Sequence, residues 1–259
     1  MKPYLLFNKF YITAFALLLS FNLVAQENSL LIEEVIVTAE KRSESLQDIS
    51  QAITALSGSD LEEKNINSFV DLGSIVPGVT VAKNEGYKTV ISIRGVGNET
   101  NQNAIAAPSV AFHMDGIFIA SPFSLQTDFI DIDRIEVLRG PQGTLFGQNS
   151  TGGAVNVISK KPSTDEFVGK ADLTLGNYGL KKYRTSLNMP ISDKVATRLS
   201  VSSTERDGFS TNVFTGQDLD DANNISVRSD WLFDLSDTSS LRVFGLSLIH
   251  ISEPTRRNS

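Results

Sequence analysis

The stretch RIEVLRGPQGTLFGQNSTGGAVNVISKKP, residues 134–162, places glycines at 140, 143, 147, 152 and 153 between two strand-like segments. Glycine lacks a Cβ and so permits positive φ and close backbone approach, at a cost in conformational entropy on folding. That density predicts a tightly turned crossing between two strands, packed where side chains would collide. Glycines at turns are usually steric solutions, so these are expected to serve folding rather than ligand contact. Alternation flanks the crossing, with Ile132, Ile135 and Val137 before it and Val155 and Val157 after it. The run from 132 to 135 slips by one residue and predicts a β-bulge.

Upstream, GVTVAK, TVISIRG and SVAFHMDG read as further strands, and ISQAITALSG as an earlier one. Ser59 and Glu62 have the spacing of an S-x-x-E capping box opening a short helix. Asn67 or Ser68 can cap a second helix through Phe69, Val70, Leu72 and Ile75, which Pro77 and Gly78 terminate. Residues 46–162 thus read as a small α+β domain.

Downstream the character changes. Ala171, Leu173 and Leu175 alternate with Lys170, Asp172 and Thr174. The pattern recurs with Tyr183, Leu187 and Met189 against Lys182, Arg184, Ser186 and Asn188. It recurs again with Val195, Leu199 and Val201 against Lys194, Arg198 and Ser202. Ile225, Val227, Trp231, Phe233 and Leu235 then oppose Asn224, Ser226, Arg228, Asp230 and Asp234. Ten-residue segments with charge on one face and lipid-compatible groups on the other match transmembrane barrel strands. Short turns (PISDK, LSDTSS) alternate with a long connection around GFSTNVFTGQDLDDANN, as periplasmic turns and outer loops would. Periodicity alone also fits a soluble β-sandwich.

The amino end, MKPYLLFNKFYITAFALLLSFNLVA, carries Lys2 and Lys9 before a short apolar run that ends in a small residue, the pattern of a secretory signal peptide over residues 1–25. A single membrane anchor is the alternative, although the run is short for a helix that must span about 20 residues. The chain has no cysteine, so an exported form relies on core, sheet closure or membrane rather than disulfides. Its formal charge of −7 argues against a nucleic-acid partner. Residues 26–45 form a polar tether in which Val35 to Ala39 have high β-propensity. On this evidence the segment is either an edge strand of the next domain or a strand awaiting a partner's sheet edge.

EEVIVTA (33–39) resembles a TonB box, SIRGVG (92–97) and HMDGIFI (113–119) resemble plug motifs, and the block from Ile132 to Pro162 is similar to the most recognisable plug segment of the TonB-dependent outer-membrane receptors. The resemblance implies an α+β plug domain followed by the first strands of a transmembrane antiparallel β-barrel, which in the family has about 22 strands around the plug. It further implies outer-membrane location and active uptake of a scarce ligand, with an iron-siderophore chelate first; cobalamin, an oligosaccharide or ligand sensing without uptake are the alternatives. Partners implied are TonB, outer-membrane lipid and a small polar ligand, with no cofactor. Glu34, Val35, Ile36, Val37, Thr38 and Ala39 would add as a strand to TonB. Arg94 and Arg139 are implied to pair with barrel glutamates and hold the plug.

Loops 83–88, 97–107 and 118–126 are expected to face the outer vestibule, where Lys83, Tyr87, Asn98, Asn101, Gln102, Phe118 and Phe123 offer amides and aromatics to a polar ligand. No enzyme is indicated, because GVGNET and GPQGTLFG lack nucleotide-loop spacing and the two histidines, His113 and His250, suggest neither a zinc cluster nor a triad. His113 reads as a plug strand residue. DLDDANN lacks the glycine and terminal glutamate of a calcium loop. Residues 167–245 suffice for about five strands, so the chain is expected to be a truncated receptor. The end from residue 246 to 259 resembles translated adapter read-through and is expected to be non-native.

Overall fold

The computed structural model describes residues 36–37, 44–45, 51–84, 88–97, 108–120, 128–214, 216 and 218–250. The chain divides into two units, Met1–Glu34 and Val35–Ser259, and all the described residues belong to the second. The signal-peptide segment lies outside the described residues.

Short strands β1 (Ile36–Val37) and β2 (Glu44–Ser45) pair antiparallel. Then follow β3 (Ile53–Ser57), helix α1 (Gly58–Glu63) and helix α2 (Phe69–Ile75). Strands β4 (Val79–Asn84), β5 (Lys88–Ile93) and β6 (Val96–Gly97) form a three-stranded antiparallel sheet. β7 (Val110–Met114), β8 (Ile117–Phe118), β9 (Ile132–Arg139), the four-residue helix α3 (Gly143–Phe146) and β10 (Gly153–Ser159) complete this part. Its central sheet runs β3-β9-β10-β7-β8, with β10 parallel to β7 and antiparallel to β9.

Alternation decides the two faces of that sheet. Ile135, Val137, Val155, Val157 and Phe112 point to one side, where Leu61, Phe69, Leu72, Ile91 and Ile93 complete the main core. Phe69 meets Phe112 and Phe129 edge-on at centroid separations of 5.4 and 4.7 Å. Ala111, Leu138 and Ala154 face the other side and bury Val37.

The bulge falls where the alternation slips. Ile158 pairs with Arg134 and Ser159 with Ile132, leaving Asp133 as the extra residue. The first helix is capped differently from expectation. Ser57 takes the N-cap and forms the reciprocal box with Asp60, because it ends β3 in extended conformation and its hydroxyl accepts from the Asp60 amide at 3.1 Å. Ser59 and Glu62 already lie inside the helix, and Glu62 turns to Lys170 instead. Ser68 caps α2 through Asp71.

In the glycine-rich crossing Gly140 and Gly147 take positive φ, 107° and 75°, and Gly152 and Gly153 answer a steric demand. A Cβ on Gly153 would lie 2.3 Å from the Leu138 carbonyl oxygen, and one on Gly152 2.8 Å from that of Val96.

The remaining chain forms one antiparallel sheet in sequential order: β11 (Val168–Leu175), β12 (Lys181–Ser192), β13 (Val195–Arg206), β16 (Ala222–Ser236) and β17 (Ser239–His250). A two-residue pair, β14 (Ser210–Thr211) with β15 (Asp218–Leu219), stands in the long connection between β13 and β16. β17 continues in register as far as His250, beyond the expected boundary at 245, and its inward positions there are Leu246 and Leu248 rather than polar residues. No described helix is long and apolar enough to cross a membrane.

Candidate functional site

The five-stranded wall is built inside out relative to a water-soluble sheet. Its polar face is buried, with Ser202, Ser226 and Asp230 fully covered and Arg228 at 2% exposure. Its apolar face is open: Leu173, Leu199, Val227, Trp231, Leu241 and Val243 are all exposed, Leu173 at 68%. Burying the charged face while leaving leucine and tryptophan outside is unfavourable in water, and favourable where the outer solvent is hydrocarbon. Sequence periodicity left barrel and sandwich open; this polarity decides for a membrane wall.

What covers the polar face is the α+β domain, and the contact is ionic with a consistent sign. The domain supplies carboxylates and the wall supplies cations. Lys170 Nζ lies 2.6 Å from Glu62, and Lys182 Nζ 3.1 Å from Asp128, which also accepts from Thr204 Oγ1 at 2.5 Å. Arg198 forks onto Asp131, with Nη2 to Oδ1 at 2.7 Å, and Ser200 Oγ donates to the same carboxylate at 2.7 Å. Arg184 Nη1 donates to the Asn67 amide oxygen at 2.6 Å.

The deepest of these contacts centres on Asp115. Its Oδ2 is 2.7 Å from Arg228, and it accepts from the backbone and hydroxyl of Ser159 at 3.0 and 2.7 Å. Arg228 also reaches Asp230 at 3.1 Å, and Arg242 donates to Asp230 at 2.5 Å and to Ser159 Oγ at 3.4 Å. Both arginines lie against the Phe244 ring. Two carboxylates and two guanidiniums compensate one another, as charges withdrawn from water require. Asp115 and Asp131 both have left-handed backbones, φ 49° and 52°, a conformation that aspartate visits as a single residue.

At the exit towards the wall, Asn188 holds the connecting segment. Its amide donates to the carbonyls of Ser163 and Glu166 and accepts from the Ser163 N–H.

Arg94 and Arg139 stand elsewhere. Arg94 is exposed at the β5–β6 turn with φ 53°, and Arg139 Nη1 reaches the Pro77 carbonyl at 3.4 Å. Neither forms an ion pair among the described residues. Of the expected ligand contacts, Lys83 falls in β4 opposite Thr89, so this loop shortens to residues 85–87. Phe118 lies in β8, packed against the cluster that buries Val37, with its ring 5.6 Å from His113. His113 occupies β7 as expected. Tyr87, Asn98, Asn101, Gln102 and Phe123 lie outside the described residues, as do Glu34, Val35, Thr38 and Ala39. Ile36 and Val37 form β1; one edge of that strand is taken by β2, and the Val37 side chain is fully buried.

Residues 45–154 match the family model of the TonB-dependent receptor plug domain. Within that span the chain is a TonB-dependent receptor plug domain. The α+β domain is that plug, and the five strands follow it as barrel wall does in the matched fold. Among relatives, the chain is 30% identical to the pesticin receptor of Yersinia pestis, over 61% of this chain and 23% of that protein. It is 29% identical to the iron-regulated outer membrane virulence protein of Vibrio cholerae, over 74% of this chain and 30% of the relative. The fold also matches the ferripyoverdine receptor of the Pseudomonas aeruginosa outer membrane, with a TM-score of 0.66 at 21% identity, covering 81% of this chain and 27% of that one. The chain thus spans about a quarter of the length of the curated relatives it matches.

The wall half of the receptor's plug seam was visible in the sequence, since Lys182, Arg184, Arg198 and Arg228 all fall on the polar face. The plug half was not recognised. One available signal was an aspartate in a D-G turn at Asp115–Gly116, where a residue tolerant of positive φ also carries a charge.

Proposed function

We propose that this receptor takes up an iron-siderophore chelate across the outer membrane, driven by TonB in the periplasm. The observation that carries this reading is the inverted wall sealed onto the plug by ion pairs. A lumen so filled passes nothing by diffusion, and transport then needs work done on the plug. Supporting the ligand class, one relative is named as iron-regulated and the matched structure holds ferripyoverdine.

In this reading residues 34–39 are the segment TonB grasps by strand addition, where main-chain hydrogen bonds supply affinity with little demand on side chains. The pairing of β1 with β2 and the burial of Val37 support a resting state in which that segment is occupied within the receptor itself. Lys83, Tyr87, Asn98, Asn101, Gln102, Phe118 and Phe123 remain the proposed ligand contacts. Arg94 and Arg139 are proposed to pair with barrel glutamates on strands other than the five described, and replacing them is expected to loosen the plug into a leaky channel.

Proline at Ile36 removes a backbone donor from the strand that TonB would pair. In a receptor carrying a closed barrel, Ile36→Pro is expected to abolish accumulation of radioactive ferric chelate while leaving its binding to whole cells unchanged. Normal accumulation in that variant would remove the TonB assignment.

A further inference from the structure

Two rings and a guanidinium make a ledge at the end of the wall that carries the long connections. Along β13 the inward residues Arg198, Ser200 and Thr204 bond Asp131 and Asp128 of the plug. The next inward position is Arg206, where the strand ends, so this side chain stands just beyond the plug contact. Its neighbour Glu205 faces outward to Lys181. The Arg206 guanidinium lies over the Phe209 ring at 5.1 Å, and the Tyr178 ring, from the connection between β11 and β12, approaches Phe209 at 6.0 Å with an interplanar angle of 58°. Both rings are more than half exposed.

We propose that Tyr178, Phe209 and Arg206 form a specificity subsite for an aromatic ring of the chelate, one that carries the metal-binding oxygens on the ring itself. The proposal rests on the chelate-uptake reading above and adds the chemistry of the chelating arms.

Two observations carry it. Tyr178 holds a left-handed backbone, φ 58°, where a bulky side chain is an outlier that persists only if its surroundings over-determine it. They do so here: the Tyr178 carbonyl accepts from the Asp207 N–H at 2.8 Å, and a Cβ on Gly179 would lie 2.7 Å from Asp207 Oδ2. The two connections are thus fastened together, and the rings are set in place before a ligand arrives. Arg206, in turn, has donors to spare. Its Nη2 donates to the Asp220 carbonyl at 2.5 Å, no carboxylate pairs with it among the described residues, and its buried Nε has no hydrogen-bond partner. An aryl group bearing anionic oxygens matches this pairing, because it stacks by its face and accepts at its edge. An aliphatic hydroxamate arm brings oxygens without a ring face.

The test measures binding of ferric tris-catecholate and ferric tris-hydroxamate to a receptor with a closed barrel. The parent is expected to bind the catecholate more tightly. Phe209→Leu keeps apolar bulk, Tyr178→Asn suits the left-handed backbone, and Arg206→Met keeps the packing on Phe209. Each is expected to weaken catecholate binding at least about fivefold and leave hydroxamate binding unchanged, while Phe209→Tyr, which retains a ring, holds the parent affinity. Fluorophenylalanine at position 209 reads the contact directly, since diamagnetic gallium tris-catecholate should shift its fluorine resonance. A parent that prefers the hydroxamate overturns the proposal, as do variants that bind catecholate like the parent or a fluorine resonance that does not move. Equal loss for both probes would show that the rings only fasten the two connections, and also overturns it. If neither chelate is bound, the uptake reading itself falls and takes this proposal with it.

Discussion

Gly153 sits where any side chain would strike the Leu138 carbonyl and the Ile93 methyl at 2.8 Å, whereas a Cβ on Gly143 meets nothing within 4 Å. Gly153→Ala is therefore expected to destabilise the plug by about 1–3 kcal/mol, whereas Gly143→Ala is expected to be neutral or to stabilise it by up to about 1 kcal/mol, measured as thermal unfolding of the purified receptor. The crossing was legible as a steric device from its glycine density; which glycines face backbone depends on strands brought alongside from elsewhere in the chain. Asp115 makes the same point more sharply. Its turn could be read locally, but its partner Arg228 is fixed only when the wall takes its register against the plug. Asp115→Ala strands Arg228 with a charge surplus in a dry site and is expected to cost about 3–5 kcal/mol, read as earlier plug proteolysis on heating.

The elements most legible beforehand were the five long strands, because period two persists over each of them. Two-residue strands such as β6, β8 and β14 and the single-turn α3 carry no periodic signal, and each exists through a partner or an adjoining turn. The cap of α1 went to Ser57 because strand β3 ends there, a tertiary fact that the S-x-x-E spacing could not contain. Ser57→Ala is expected to lower stability by about 1 kcal/mol and Ser59→Ala by less than about 0.5, a difference that chemical denaturation can resolve. Where α1 meets β11, the bond from Lys170 holds the Glu62 carboxyl below its ordinary range. A depressed folded value contributes stability above the ordinary titration range, and that contribution is lost as pH falls through the depressed value. The contact should thus persist through mildly acid conditions, and Lys170→Met should return the Glu62 titration, followed by NMR, to the usual range.

For the whole molecule, the distribution of polarity is the property to test. The chain lacks cysteine, so single cysteines report cleanly. A spin label at Leu199 or Val243 is expected to be quenched by lipid-soluble oxygen and shielded from a water-soluble nickel chelate, while one at Ser202 is reached by neither. Leu199→Arg is expected to cost about 2–4 kcal/mol if that position lies near the bilayer midplane. The sheet order carries a mechanical consequence as well. The plug's first strand, β3, is the selvedge of its sheet, joined only to β9, whereas its last strand, β10, lies at the centre and runs on into a segment that Asn188 clamps to the wall. Traction from the amino end therefore meets the weaving at its loose border and peels it one ribbon at a time, while the far end stays stitched to the membrane-embedded wall.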